Sequence, residues 1–177
     1  MVANPKTEIV ARPAETTVWM RRIFDAPRPL VWEAITRPEH LRRWWGGSSD
    51  EAQLAVCEVD LRPGGRWRFV ERSPDGTEFP FSGVYREVVP PTRLVHTFRF
   101  EDPEWRDREA VVTTTLEDVR GRTRMIQLTE FESVADRDAY VAAGAEKGMR
   151  ISLNKLDELL KRLRSAGPPP LRRPAAT

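Results

Sequence analysis

The most restrictive feature of this 177-residue chain is a series of β-prone segments between residues 53 and 131. The segments lie at 53–60, 65–72, 78–89, 93–100, 109–118 and 122–131. Their connections are short and contain turn-forming residues, such as Pro63-Gly64-Gly65 and Pro74-Asp75-Gly76. Strands with short connections pair antiparallel, because a parallel crossover needs a dozen residues or more. The pattern therefore predicts an antiparallel meander.

A long helix follows the meander at residues 145–164. Its apolar residues recur at spacings of three and four and form one stripe: Met149, Leu153, Leu156, Leu160 and Leu163. A further strand at 18–24 precedes the meander, and two short helices follow that strand. An apolar sheet face needs a covering layer. We therefore predict an α+β fold in which a seven-stranded antiparallel sheet wraps around the long C-terminal helix and leaves a cavity between them.

The two ends of the chain differ from its middle. Residues 1–15 and 165–177 carry prolines and show no apolar periodicity. We predict a flexible leader at 1–15, a single domain at 16–164 and a disordered, proline-rich tail at 165–177. We expect both ends to be dispensable for folding.

Composition argues against several classes of protein. No stretch reaches 18 apolar residues, so no membrane-spanning helix is expected, and the N-terminus does not resemble a signal peptide. Cys57 is the single cysteine, which rules out an intramolecular disulfide. The net charge is +2, but acidic and basic residues alternate without forming a basic stripe. We predict a cytoplasmic protein that binds no nucleic acid; monomer and homodimer both remain open.

A set of short motifs in fixed order resembles a known family. The motifs are Arg22-Ile23-Phe24-Asp25-Ala26-Pro27, Val31-Trp32-Glu33-Ala34, Pro38-Glu39-His40-Leu41, Trp44-Trp45-Gly46, Leu61-Arg62-Pro63-Gly64-Gly65 with Trp67, Gly83-Val84-Tyr85 with Glu87, Pro90-Pro91 with Arg93-Leu94, and Leu153 with Leu156. Over residues 16–164 the chain is similar to the SRPBCC family named after the activator of the heat-shock-protein-90 ATPase, within the START and Bet v 1-like superfamily. The resemblance implies a helix-grip fold with an internal cavity. It implies no single function, since the superfamily includes lipid carriers, cyclases, aromatases, self-resistance proteins and co-chaperones.

Aromatic side chains on the predicted strands share faces, because residues two apart in a strand point the same way. They either fill the core or line a cavity. The candidate ligand-binding residues are Trp45, Trp67, Phe69, Phe81, His96, Phe98, Met149 and Leu153. His96 lies between apolar neighbours of its face, so we expect it to point inward, hydrogen-bonded or orienting a ligand. Relatives often carry an aromatic residue where this chain has Met149, which predicts a wider cavity mouth.

The sequence carries no recognisable catalytic, metal-binding or cofactor-binding motif. The glycine pairs lack the spacing of a phosphate loop, and the single cysteine has no ligand pattern around it. We therefore predict no metal and no cofactor. The strand charges Arg22, Glu87 and Glu130 are expected to face solvent, with an internal Arg–Glu pair as the alternative.

Three functions are compatible with these features. The leading hypothesis is a module that binds a small apolar or aromatic molecule without catalysis. The second is a cyclase- or aromatase-like enzyme for a polyketide-like substrate, in which His96 or Glu87 moves protons. The third is a protein-interaction or co-chaperone-like module that docks through exposed Trp44 and Trp45.

Overall fold

The computed structural model describes residues 7–12, 15–105 and 107–166. Its strands are β1 (Thr7–Ala11), β2 (Thr17–Phe24), β3 (Gln53–Val59), β4 (Arg66–Arg72), β5 (Glu78–Val89), β6 (Arg93–Phe100), β7 (Glu109–Val119) and β8 (Arg122–Phe131). Its helices are α1 (Arg28–Thr36), α2 (Pro38–Trp44), α3 (Val134–Ala142) and α4 (Ala145–Ser165). Every strand of the predicted meander is present, with each boundary within one residue of its expected position.

All strands of the described chain form one antiparallel sheet in the order β1-β2-β8-β7-β6-β5-β4-β3. The long helix α4 packs its leucine stripe against the inner face of this sheet and against α1. Leu156, at 0% exposure, shares a core cluster with Phe24, Val31 and Leu116. Burying a leucine side chain stabilises a fold by about 1.5–3 kcal/mol, so the stripe is a major part of what holds α4 in place.

The sheet has eight strands rather than the seven predicted, because β1 lies within the segment expected to be a flexible leader. It pairs with β2 from Thr7 opposite Arg22 to Ala11 opposite Val18. The backbone oxygen of Thr7 accepts a hydrogen bond from Arg150 at 2.9 Å, and that of Arg12 accepts one from Arg137 at 2.6 Å. Residues 7–12 are therefore part of the folded domain. Residues 1–6 and 167–177 lie outside the described residues.

The expectation that Arg22 faces solvent is wrong. Its side chain is 2% exposed and lies on the inner face of β2. The guanidinium donates to the Thr7 hydroxyl at 2.9 Å and to the Asn154 side-chain oxygen at 2.8 Å, and it lies 3.5 Å from the Asp157 carboxylate. Arg22 thus joins β1, β2 and α4. Glu130 is exposed as predicted, and Glu87 pairs with Arg93 at 3.0 Å on the outside of the sheet.

Candidate functional site

A cavity of about 510 Å³ lies between the inner face of the sheet and helices α2, α3 and α4. Its volume falls within the range of ordinary small-molecule sites. Eleven aromatic residues line it: Trp44, Trp45, Trp67, Phe69, Phe79, Phe81, Tyr85, Phe98, Phe100, Trp105 and Tyr140.

The aromatic wall follows from strand register. Phe69 of β4 lies opposite Phe81 of β5, and Phe81 lies opposite Phe100 of β6. Trp45, at the end of α2, packs edge-on against Phe69 and Phe81, with ring centroids 5.1 and 5.2 Å apart. Such contacts stabilise beyond the area they bury. The α2 end is thereby held against the sheet, and Trp45 becomes part of the cavity wall.

Trp67 fits into the cavity wall because the residue opposite it on the adjacent strand is a glycine. Gly83 lies directly opposite Trp67 in the β4–β5 pair. A side chain at this position would collide with the carbonyl oxygen of Thr97 and with the Trp67 indole nitrogen. Glycine at position 83 therefore leaves the space that the Trp67 indole ring occupies.

All eight residues that the sequence suggested for ligand binding line this one cavity. They are Trp45, Trp67, Phe69, Phe81, His96, Phe98, Met149 and Leu153. Trp67, Phe69 and Leu153 are deeply buried and also belong to the core, whereas Met149 is half-buried beside Gly148. Their part in binding a ligand stays a prediction.

His96 points inward, as expected, and is held in one orientation. Its Nδ1 lies 2.9 Å from the carbonyl oxygen of Thr97. A carbonyl can only accept, so Nδ1 carries the proton and Nε2 of the neutral ring is an acceptor. Removal from water lowers the pKa of His96 to about 4, although the bond to Thr97 acts in the opposite direction. The imidazole is therefore uncharged at neutral pH.

Three polar residues of the inner sheet face were not singled out from the sequence. Thr114, Gln127 and Thr129 line the cavity on β7 and β8. Thr114 lies opposite Gln127, and Thr129 lies opposite Val112, the partner of His96. The alternation of inward and outward residues along a strand could have identified them. On β8, Gln127 has the same parity as Met125 and Thr129, which are both buried on the inner face.

The cavity mouth is fastened by two oppositely charged side chains. The Glu71 carboxylate accepts hydrogen bonds from the backbone amides of Gly47 at 3.3 Å and Ser48 at 2.7 Å. From the other side, Lys155 of α4 donates to the carbonyl oxygens of Gly46 and Ser49. Burial lowers the pKa of Lys155, while the carboxylates of Glu71 and Asp50 act against this shift. The segment 46–49 is thus fixed between the sheet and α4.

Two further side chains with reactive groups, Cys57 and Glu87, do not line the cavity. Cys57 lies on β3, with β4 and β5 between it and the strand of His96. Burial raises the pKa of its thiol, and the cavity wall does not include it. Glu87, paired on the outer face, is no proton carrier for this cavity. Across the described residues, no cluster of His, Cys, Asp or Glu could hold a metal ion.

Trp44 and Trp45 do not form an exposed docking patch. Both are half-buried and both line the cavity. The Trp44 indole donates to the carbonyl oxygen of Ala34 at 2.8 Å, which ties α2 to α1. The surface on which the interaction hypothesis depends is therefore missing.

Comparison with known families decides the relationship. The model of the Activator of Hsp90 ATPase homolog 1-like proteins matches residues 25–161, which is most of the chain. The chain belongs to this family. The Hsp90-activator-like family has the helix-grip fold, and the sheet and α4 described above have that arrangement. No curated protein matches the chain.

Solved structures agree with the family assignment. One is the crystal structure of a protein from Nitrosomonas europaea that is 28% identical in sequence. The match covers 87% of this chain and 99% of that protein, with a TM-score of 0.75. A crystal structure from Rhodobacter sphaeroides is 27% identical, covers 89% of this chain and 99% of its own, and has a TM-score of 0.78. The Hsp90-activator-like fold thus extends over nearly the whole described chain. None of the described helices is long and apolar enough to cross a membrane.

Proposed function

We propose that this protein binds a small apolar or aromatic molecule in the cavity and releases it unchanged. The observation that carries the proposal is the cavity of about 510 Å³ with its wall of aromatic rings. Burying apolar ligand surface there contributes roughly 25 cal/mol per Å² before the costs of association are subtracted. The few polar wall groups would orient the ligand.

Binding accounts for the site better than proton-transfer catalysis does. A general base works best when its pKa lies near the working pH, whereas the pKa of His96 is lowered to about 4. Its Nδ1 bonds to a backbone carbonyl rather than to a carboxylate that would stabilise the protonated ring. Glu71, the charged side chain among the described residues of the wall, already accepts hydrogen bonds from two backbone amides. The single, buried Cys57 is consistent with action in the cytoplasm.

Titration with N-phenyl-1-naphthylamine, an uncharged apolar dye, tests the proposal. We expect the dye to bind with a Kd in the tens of micromolar or below, near −6 kcal/mol. Met149→Trp should weaken binding severalfold, because a larger ring at the start of α4 narrows the mouth. Lys147→Trp is the matched control, since residue 147 is exposed and outside the cavity wall.

Native mass spectrometry of the purified protein is an independent test, because a tightly bound ligand would co-purify with the protein and add to its mass. The binding function is rejected if the wild type binds neither this dye nor other uncharged aromatic compounds. Equal weakening by Met149→Trp and Lys147→Trp would show that the dye binds outside the cavity.

A further inference from the structure

Four polar side chains form a strip on the aromatic cavity wall: His96, Thr114, Gln127 and Thr129, hereafter the polar strip. They occupy two neighbouring cross-strand rows on β6, β7 and β8. Strands lie about 4.8 Å apart and residues of one face about 7 Å apart, so the strip measures roughly 10 by 7 Å. This is the size of one or two aromatic rings.

The polar strip has unused hydrogen-bonding capacity. Among the described residues, the side chains of Thr114, Gln127 and Thr129 make no hydrogen bond, and His96 makes one through Nδ1 only. All four belong to the cavity wall. A ligand that fills the cavity without offering hydrogen-bonding partners would displace water from these groups and leave them unpaired, which is costly. The occupant of the cavity is therefore the natural partner of these groups.

The charge of the wall restricts that partner. Glu71 is the one formally charged side chain among the described residues of the wall, and its carboxylate is bonded to the amides of Gly47 and Ser48. Among the described residues of the wall there is therefore no cation that could pair with a ligand carboxylate or phosphate. An anion would thus be buried without a counter-charge, which is strongly unfavourable.

We propose that the polar strip recognises an uncharged aromatic ligand that carries a hydroxyl group. Nε2 of His96 accepts a hydrogen bond from the ligand hydroxyl, while the Gln127 amide and the two threonine hydroxyls donate hydrogen bonds to a further oxygen of the ligand, such as a carbonyl. The proposal rests on the binding function above and adds the chemical class of the ligand.

Four biphenyls that differ in one group test the proposal in competition with N-phenyl-1-naphthylamine. They are 4-phenylphenol, its methyl ether 4-methoxybiphenyl, 4-methylbiphenyl, and biphenyl-4-carboxylate. A neutral hydrogen bond in a buried site contributes about a fivefold to tenfold change in affinity. We expect 4-phenylphenol to bind the wild type that much more tightly than the ether or the methyl compound, and the carboxylate to bind least.

Two variants assign the preference to His96. In His96→Leu the acceptor is lost, so the phenol and the methyl compound should bind about equally. Phe98→Leu is the matched control. Residue 98 also lines the cavity on the same strand and face but has no polar group, so both compounds should bind more weakly while the ratio of their affinities persists. A preference that survives in His96→Leu overturns the role of His96.

The wild-type series alone can decide the ligand class, even if a variant does not fold. Equal affinities of the phenol, ether and methyl compounds overturn the polar strip but leave the binding function intact. Tightest binding of the carboxylate overturns the uncharged class. Failure of all four compounds and of the dye overturns both proposals.

Discussion

At the scale of single residues, His96 shows how surroundings decide chemistry. Its ring lies against Trp67 and Tyr85, with centroids 5.3 and 6.0 Å apart. These neighbours exclude water and carry no compensating charge. The folded protein therefore holds the imidazole neutral under conditions in which the unfolded chain would protonate it.

The lowered pKa of His96 predicts a specific loss of stability in acid. Between pH 6.5 and about 4 the unfolded chain binds a proton at His96 that the folded chain does not, so the free energy of unfolding decreases as the pH falls. The contribution reaches about 2.5 kcal/mol near pH 4.5. Urea denaturation at a series of pH values should show a smaller loss in His96→Leu than in the wild type, with Phe98→Leu as the packing control. Parallel pH profiles for wild type and His96→Leu would contradict this prediction.

Comparison of His96 with Arg22 shows when the direction of a strand side chain can be predicted from the sequence. The inward direction of His96 follows from its apolar neighbours two positions away on the same strand, which is local information. A charge such as Arg22 on a strand normally faces water, and its partner Asn154 lies 132 residues away in the chain. No local pattern reports that partner, so the interpretation of Arg22 failed.

At the scale of elements, the mouth of the cavity depends on a close approach between the α2–β3 connection and α4. A side chain at position 47 would collide with the Gly148 backbone. The reverse contact is ordinary, because a side chain at position 148 would stop 3.5 Å from the Gly47 carbonyl oxygen. The two glycines therefore face each other but are not equivalent.

Alanine at these two positions should have opposite effects on stability. Gly47→Ala forces the α2–β3 connection away from α4 and weakens the hydrogen bonds that Glu71 and Lys155 make to it. We therefore expect the free energy of unfolding to fall by about 2 kcal/mol or more. Gly148→Ala replaces a glycine within a helix and should gain up to about 1 kcal/mol. Chemical denaturation of both variants measures the difference. Changes of the same sign would mean that the two backbones do not meet as described.

The elements themselves were largely predictable from the sequence. The meander strands have β-prone runs bounded by turn residues, and α4 has an apolar stripe, so local physics decides both. The strand β1 has only a short β-prone run, Ile9-Val10 with Thr7, which is too brief to distinguish a strand from a flexible leader. It has five residues, and arginines from β2, α3 and α4 hold its edge of the sheet. For the same reason the aromatic wall was predictable from strand parity, whereas the fastening of the mouth by Glu71 and Lys155 was not.

At the scale of the whole molecule, the N-terminal segment works as a brace between sheet and helices. The contacts of Arg22 and Arg150 with Thr7, and of Arg137 with Arg12, span the distance from the first strand to α3 and α4. Both Arg22 and Arg137 are nearly fully buried. Buried guanidinium groups that lose hydrogen-bond acceptors are strongly destabilising.

Truncations should therefore distinguish the contribution of residues 7–12 to stability from that of residues 1–6. Removal of residues 1–12 should lower the free energy of unfolding by about 2–5 kcal/mol. Removal of residues 1–6 alone keeps β1, and removal of 167–177 leaves the described domain complete; both are expected to be nearly neutral. Thermal and urea denaturation of the three truncations provide the comparison. Equal stability of the 1–12 truncation and the wild type would show that the brace contributes nothing.

The strand order also has a consequence for how the chain is made. The first strands of the sheet pair with its last: Arg22 of β2 lies opposite Met125 of β8, about 100 residues later. At a synthesis rate of roughly 5–20 residues per second, β8 is synthesised about 5–20 s after β2. An isolated two-stranded hairpin is marginal in water. The β1–β2 pair therefore spends this interval without its sheet, and the cavity closes only after the ribosome has delivered α4.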